Sequence, residues 1–255
     1  MKRKQEQGFR ILEFKENKFD IIGDVHGCYD ELLALIEKLG YRKEENCYVH
    51  LEGRRLISVG DVADKGEKNL ESLDFWLNQV EFGGGFWIHG NHCSKLYRYL
   101  LGNRVVLAHG LENTVEELNR LTKEEKAEFR HRYMRCYESQ CDYLLLDQKR
   151  LAVVHGGLKE ADIGQFSGQI RAVCLYGEVE ENFSEEGKPK RLDWAADYKG
   201  EVFVVYGHTV VDEARIVNNT IDVDQGCVYG GMLTALRYPE KAVVQIKSKK
   251  IYAKN

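Results

Sequence analysis

A chain of 255 residues with 43% apolar content can bury the core of one large domain or two small ones. Its 37 Lys and Arg against 41 Asp and Glu give a net charge of −4, so it has no basic surplus for gripping long nucleic acid by its phosphates. No stretch approaches the ~18 apolar residues of a membrane-spanning helix. The seven cysteines, odd in number and without CxxC spacing, read as the reduced thiols of a cytoplasmic protein. The basic start Met1-Lys-Arg-Lys4 runs into polar Gln5, Glu6 and Gln7, so no signal peptide is expected. With two prolines, no repeat and no linker-like tract, residues 1–255 read as a single domain with insertions.

In chain order, residues 1–18 form a lead-in with an edge strand near Arg10 to Phe14. Phe19 to Gly23 reads as a buried strand. Tyr29 to Leu39 has helical apolar spacing, with Asp30 and Glu31 in its first turn and Gly40 as a stop. A short strand at Tyr48 to Leu51 precedes a second buried strand, Arg55 to Val59. Helix Lys68 to Val80 and strand Phe86 to His89 follow. Three strand–turn–helix units in a row predict an α/β sandwich with parallel pairing, in which ligand-bearing turns gather at the carboxyl ends of the strands. Ser94 to Arg150 reads as mostly helical. Thr114 with Glu117 and Thr122 with Glu125 both have capping-box spacing. The second box opens a charged helix to about Tyr137, with Phe129, Tyr133 and Met134 turned inward. The basic residues of that helix alternate with Glu124, Glu125 and Glu128, which favours a solvated face over a polyanion site. Leu151 to Val154 is a strand, 158–200 is irregular and polar and could serve as a lid, and Glu201 to Tyr206 is another strand. Ala214 to Val217, Thr220 to Val223, Met232 to Tyr238 and Ala242 to Ile246 read as a closing antiparallel section.

The polar residues at the strand ends are Asp24 and His26, Asp61 and Asp64, Asn91 and His92, His155, His208 and Asp224. Taken singly, each has an ordinary structural use: Asp24 as a helix cap, Asp61, Asp64 and Asn91 in turns, His155 or His208 as a satisfied core histidine. Together they recur after buried-looking strands. Four of the eight histidines precede a glycine and His208 follows one, although the chain holds only 24 glycines. A sharp turn with close backbone approach explains that preference. Alternate residues of an extended segment point the same way, so Asp24 and His26 can reach one ion. Oxygen and imidazole donors without thiolates suit manganese, iron, zinc, nickel, cobalt or magnesium. Six or more such donors are too many for one tetrahedral ion and suit two ions sharing a carboxylate.

Gly23-Asp-Val-His-Gly27, Gly60-Asp-Val-Ala-Asp-Lys-Gly66, Gly90-Asn-His92, His155-Gly-Gly157 and Gly207-His-Thr209 resemble, in order, the signature blocks of the calcineurin-like metallophosphoesterases. The stretches from Gly90 to Leu100, His109 to Glu112 and Val223 to Gly230 look most like the bacterial PrpE-type bis(5′-nucleosyl)-tetraphosphatases. They are also similar to the phosphatase module of bacterial polynucleotide kinase-phosphatases. The resemblance implies a four-layer αββα sandwich of two mixed β-sheets flanked by helices, with a helical insertion at about 94–150. It implies a first divalent ion held by Asp24 and His26 with Asp224 nearby, a bridging Asp61, and a second ion held by Asn91, His155 and His208. By the same carry-over, His92 oriented by Asp64 is the proton donor and Lys65 contacts phosphate. Lys65 stands where the family has arginine, so a forked contact becomes a point charge. Cys93 replaces an acidic residue and is expected to be a packed thiol. Arg191 and Trp194 are candidates for gripping a distal phosphate and stacking on a base.

The activity implied is metal-dependent hydrolysis of a dinucleoside tetraphosphate such as Ap4A into nucleoside monophosphate and triphosphate, through a hydroxide bridging the two ions. The runner-up is a phosphomonoesterase acting on phosphoproteins or nucleotides. A binding scaffold that has lost catalysis is disfavoured, because all the expected ligands are present. His50 and His131 are expected at the surface and His89 in sheet packing. His109 has no assigned chemistry.

Overall fold

The computed structural model describes residues 8–183 and 189–254. Residues 1–7 of the expected lead-in and 184–188 of the expected lid lie outside them. The first sheet is built from β2 (Phe19–Ile22), β5 (Arg55–Ser58), β6 (Phe86–Trp87), β14 (Asp224–Gln225), β15 (Met232–Tyr238) and β16 (Ala242–Lys247). Its order is β14-β15-β2-β5-β6, with β16 added to β15. Strands β2, β5 and β6 are parallel and β15 is antiparallel to β2. The second sheet runs β1 (Phe9–Ile11), β7 (Tyr143–Leu146), β8 (Leu151–Val154), β11 (Phe203–Tyr206), β13 (Thr220–Asp222) and β12 (Ile216–Val217). Both sheets mix parallel and antiparallel pairs. Two hairpins stand apart, β3 (Arg42–Glu44) with β4 (Cys47–Val49), and β9 (Val179–Phe183) with β10 (Pro189–Arg191).

The period-2 alternation of the strands sorts their side chains into layers. Phe19, Ile21, Ile57 and Val59 of the first sheet meet Leu144, Leu151, Val153, Val205 and Ile221 of the second in a core between the sheets. The other face of the first sheet, with Ile22, Leu56 and Trp87, packs on α1 (Tyr29–Lys38), α2 (Asn69–Glu81), α3 (Asn91–Leu100), α4 (Leu111–Arg120) and α5 (Lys123–Ser139). The outer face of the second sheet, with Tyr143, Ala152 and Val204, is covered by α6 (Gly168–Tyr176) and α7 (Trp194–Asp197). The result is the four-layer αββα sandwich. The chain crosses from the second sheet to the first between β13 and β14, at Val223. A Cβ on Gly23 would meet the Val223 carbonyl oxygen at 2.0 Å, so only glycine fits there.

Four expectations are corrected. The helical insertion ends at Ser139, and Tyr143–Leu146 is a strand. Its four consecutive buried apolar residues carry no period that separates strand from helix. The described residues of 158–200 are not all irregular: they include α6, the β9–β10 hairpin and α7. In the closing section β13 pairs parallel with β11, while β15 and β16 join the amino-terminal sheet. Apolar runs mark strands but not their partners. Thr114 and Glu117 are not a capping box, because α4 already begins at Leu111, behind Gly110 with φ +95°. The Thr122–Glu125 box is formed.

Candidate metal centre

Asp24 follows β2, Asp61 follows β5, Asn91 and His92 open α3 after β6, His155 follows β8, and His208 follows β11. These are the carboxyl ends of parallel strands from both sheets, which converge at one point. Asp224 lies in β14, which is antiparallel to β15, as β2 is, and so runs in the same sense as β2. The turns are laced together: His26 N–H donates to Asp61 O at 2.9 Å and Gly66 N–H to His26 O at 2.9 Å. His26, Asp61, Asp64, Lys65 and His208 all have φ between +40° and +75°. Left-handed backbone is uncommon for such residues and gathers where a site over-determines the chain. The glycines beside them are needed for close approach. A Cβ on Gly90 would lie 2.1 Å from Asp61 Oδ1, and one on Gly207 would lie 2.3 Å from Asp24 Oδ1.

Asp61 sits at the middle. Its Oδ2 is 3.4 Å from His155 Nε2 and 3.8 Å from His26 Nε2, and its Oδ1 accepts the His92 N–H at 3.0 Å. Two groups of donor atoms are each clustered within 4.8 Å, His26 with Asp61 and His92, and Asp61 with His155 and His208, so Asp61 is common to both. His26 Nδ1 donates to Ala63 O at 2.9 Å and His155 Nδ1 to Val59 O at 3.1 Å, because a carbonyl can only accept. Each ring therefore turns its Nε2 to the centre, the arrangement in which a histidine ligand is oriented through its other nitrogen. His155 Nε2 lies 3.0 Å from Asn91 Oδ1. His208 Nε2 is buried without a hydrogen-bond partner among the described residues. An orphaned imidazole nitrogen beside a buried carboxylate is satisfied by a cation, so these residues fit divalent ions.

The electrostatics agree. Burial, with Asp224, Asp61 and Asp222 close by, pushes the Asp24 carboxyl well above the usual range. Burial also raises Asp224. Burial opposes ionisation of Asp61 too, but His155, His92 and His26 outweigh it and hold that carboxyl well below the usual range. Burial keeps His26 and His208 neutral, His208 down to about 2.

His92 Nδ1 donates to Asp64 Oδ2 at 2.6 Å, leaving Nε2 for the cleft. Sequence reasoning missed what holds Asp64. Thr114 Oγ1, from α4 of the insertion, donates to its other oxygen Oδ1 at 2.5 Å. Neighbouring Asn113 donates to Lys65 O at 3.2 Å, and Glu117 accepts the N–H groups of Asn69 and Leu70. One turn of α4 thus buttresses the whole 64–70 loop. The capping-box spacing of Thr114 and Glu117 was a signal, but a misleading one.

Lys65 Nζ is 3.1 Å from His26 Nε2 and 5.2 Å from the Tyr229 ring centroid. Arg191 donates to Thr209 Oγ1 at 3.0 Å and His208 O at 3.3 Å, which sets its guanidinium beside the centre. Trp194 is not brought to the cleft: its indole donates to Gly156 O at 3.2 Å and packs on Tyr198 and Tyr206. Tyr176, 49% exposed and 6.3 Å from the His208 ring, lines the cleft instead. Cys93 is buried, and burial pushes its thiol up to about 12, which removes it as a nucleophile. His89 is buried between Asp142 and the Tyr137 carbonyl, His50 is half-buried, and His131 is exposed. His109 is exposed at the cleft rim with φ +62°. The cleft above the centre has a volume of about 1920 Å³.

The relatives accord with this geometry. The PrpE bis(5′-nucleosyl)-tetraphosphatase [asymmetrical] of Bacillus subtilis is 46% identical, over 90% of this chain and 94% of its own length. The enzyme of the same name from Halalkalibacterium halodurans is 45% identical, over 91% and 94%. The crystal structure of a candidate diadenosine tetraphosphatase superposes with a TM-score of 0.65 at 20% identity, covering 94% of this chain and 98% of that one, which speaks for the fold. Residues 18–230 match the calcineurin-like phosphoesterase family from end to end of the ligand set, and the chain belongs to that family.

Proposed function

We propose that the chain hydrolyses dinucleoside tetraphosphates asymmetrically, to nucleoside monophosphate and nucleoside triphosphate, at a centre for two divalent ions. The observation that carries this reading is the single Asp61 carboxylate common to two ligand groups at the floor of a large cleft. The names of the 45%-identical relatives support the substrate. Asp24, His26, Asp61 and Asp224 would hold the first ion, and Asp61, Asn91, His155 and His208 the second. Manganese, nickel, cobalt, iron and zinc all accept such oxygen and imidazole donors. Bound ions supply positive charge for the phosphoryl oxygens and make a water acidic enough to attack at neutral pH.

The chain's own groups do the rest. Lys65, beside His26, and Arg191, beside His208, hold the non-bridging oxygens of the reacting phosphate, Arg191 with a fork and Lys65 as a point charge. His92, fixed through Nδ1 by Asp64, presents Nε2 to the leaving oxygen, where a proton on that nitrogen neutralises the developing charge. Tyr176 offers the aromatic face for a base that Trp194 does not. We read the protein as one phosphoesterase unit whose walls are the insertion before Ser139 and the 158–200 segment. Seven cysteines, all buried and unpaired, support a reducing, cytoplasmic setting.

Chromatography of the products from Ap4A with added manganese, cobalt, nickel or magnesium tests the proposal. AMP and ATP in equal amounts are expected. Two ADP, or turnover only of a phosphopeptide or nucleotide monoester, would overturn it.

A further inference from the structure

The two walls of the cleft treat their cations differently. The chain is net acidic, yet the described residues lining the cleft include eight Lys and Arg against four Asp and Glu, of which Asp61 and Asp224 belong to the centre. On one side Arg191 stands at the centre with the reacting phosphate, and beyond it the cations of the 158–178 region are already engaged. Lys159 pairs with Glu178 at 2.5 Å, and Arg171 donates to Tyr137 OH with Asp142 at 3.8 Å. On the wall made by α3 and the loop after it, Arg98 and Arg104 are exposed and have no ion-pair partner among the described residues. Glu112 is the acid on this wall, and its carboxylate accepts the Gly110 N–H.

The placement of these arginines follows from helix geometry. Asn91, Lys95 and Arg98 are spaced by four and three residues, so they lie along one face of α3. At a rise of about 1.5 Å per residue, Arg98 stands about 10 Å along the axis from Asn91, leading away from the centre. Lys95 Nζ donates to Ala108 O at 2.7 Å and folds the 101–110 loop back along the helix. Arg104 and the apolar Val105 and Val106 then line the same side of the cleft. A line of unneutralised guanidinium groups running from the reaction centre matches a linear chain of phosphates, and guanidinium forks bind phosphate oxygens in pairs.

We propose that this wall, through Arg98 and Arg104, binds the triphosphate half of the substrate, so that the more highly charged product lies on the α3 side and the monophosphate on the side where cations are paired. This rests on the tetraphosphatase reading and supplies a physical reason for asymmetric cleavage. The two walls differ in free positive charge, and three phosphates gain more than one from the free side.

The test uses the metal-loaded full chain with p-nitrophenyl phosphate as reporter, and compares inhibition by inorganic tripolyphosphate and orthophosphate. Metal chelation by tripolyphosphate is the same for parent and variant, so their difference isolates the wall. In R98Q/R104Q the inhibition constant for tripolyphosphate should rise by about tenfold or more, with less than about twofold change for orthophosphate. The KM for Ap4A should rise by a similar factor with kcat little altered, and the salt dependence of KM should become shallower. R98K/R104K should recover part of the loss, and K43Q, on the remote β3–β4 hairpin, should change neither constant. Equal tripolyphosphate inhibition of parent and R98Q/R104Q overturns the proposal. If the contrast holds but the parent makes no AMP and ATP from Ap4A, the polyphosphate wall stands and the substrate reading falls.

Discussion

Strand β2 carries a buried aspartate at each end, and the two are opposites. Asp20, fully buried, accepts from Arg54 Nε at 3.0 Å, Arg237 Nε at 2.9 Å and Tyr41 OH at 2.9 Å. Arg54 is itself completed by Glu240 and two backbone carbonyls. Asp24, four residues on, meets Asp61, Asp222 and Asp224 and has no ion-pair partner among the described residues, although Lys65 and Arg191 lie near the group. A buried charge must be compensated, and the protein compensates the first with its own cations. At the second it leaves the compensation to something that binds. The closed cluster is structural and the open one is the candidate site. Burial alone does not distinguish them, but the inventory of partners does.

Each prediction sets one end of this contrast against the other. The largest effect belongs to D61N. As the carboxylate proposed to serve both ions, its loss should lower activity on the order of 1000-fold, beyond the 10–100-fold typical of groups that only orient a ligand. Metal analysis of the purified variant should find neither ion retained; full occupancy would remove Asp61 from the bridging role.

D24N and D20N come next and should behave in opposite ways. D24N should lose activity by about 100-fold or more. In the chelator-stripped protein its urea midpoint should rise, because an unfavourable carboxylate has been replaced by a neutral isostere. D20N should keep its activity per folded molecule within about twofold and lose about 3–5 kcal/mol of stability, since it leaves buried Arg54 with one of its two carboxylate partners. Should stripped D24N be destabilised as much as D20N, the open cluster would be structural and the contrast would fail.

G23A probes the crossing that brings the halves of the site together. With no room for a Cβ against the Val223 carbonyl, about 1–3 kcal/mol of stability should be lost. A midpoint equal to the parent's would mean that the sheets yield there.

The smallest effect is expected for T114V, which frees one oxygen of Asp64 while leaving its contact with His92. A loss of about tenfold is expected, T114S restoring most of it. The loss should be greater for a phosphomonoester than for Ap4A, because an alkoxide leaving group needs the His92 proton and a nucleotide leaves with acidic phosphate oxygens. Equal losses on both substrates would show that Thr114 serves the fold rather than the proton donor.

Much of this site is written locally. The strand-end residues Asp24, His26, Asp61, Asn91, His155 and His208, with their glycines, can be read from the chain because each turn needs its own residue types within a few positions. The buried strands β2 and β5 and the helices up to Glu81 follow from their apolar residues, whereas β3, which is Arg-Lys-Glu, has none to read. What periodicity does not carry is partnership. Nothing in Tyr143–Leu146 separates strand from helix, nothing in Thr220–Asp222 names β11 as its parallel neighbour, and nothing in Thr114 points 50 residues back to Asp64. Trp194 looked like a base platform because indoles suit that use, and only its hydrogen bond to Gly156 assigns it to packing. The chain by itself determined which side chains could hold metal and phosphate. The tertiary structure alone decided which buried aspartate is closed by arginines and which is left open, because compensation of a buried charge depends on what the fold brings within a few ångströms, regardless of distance along the chain.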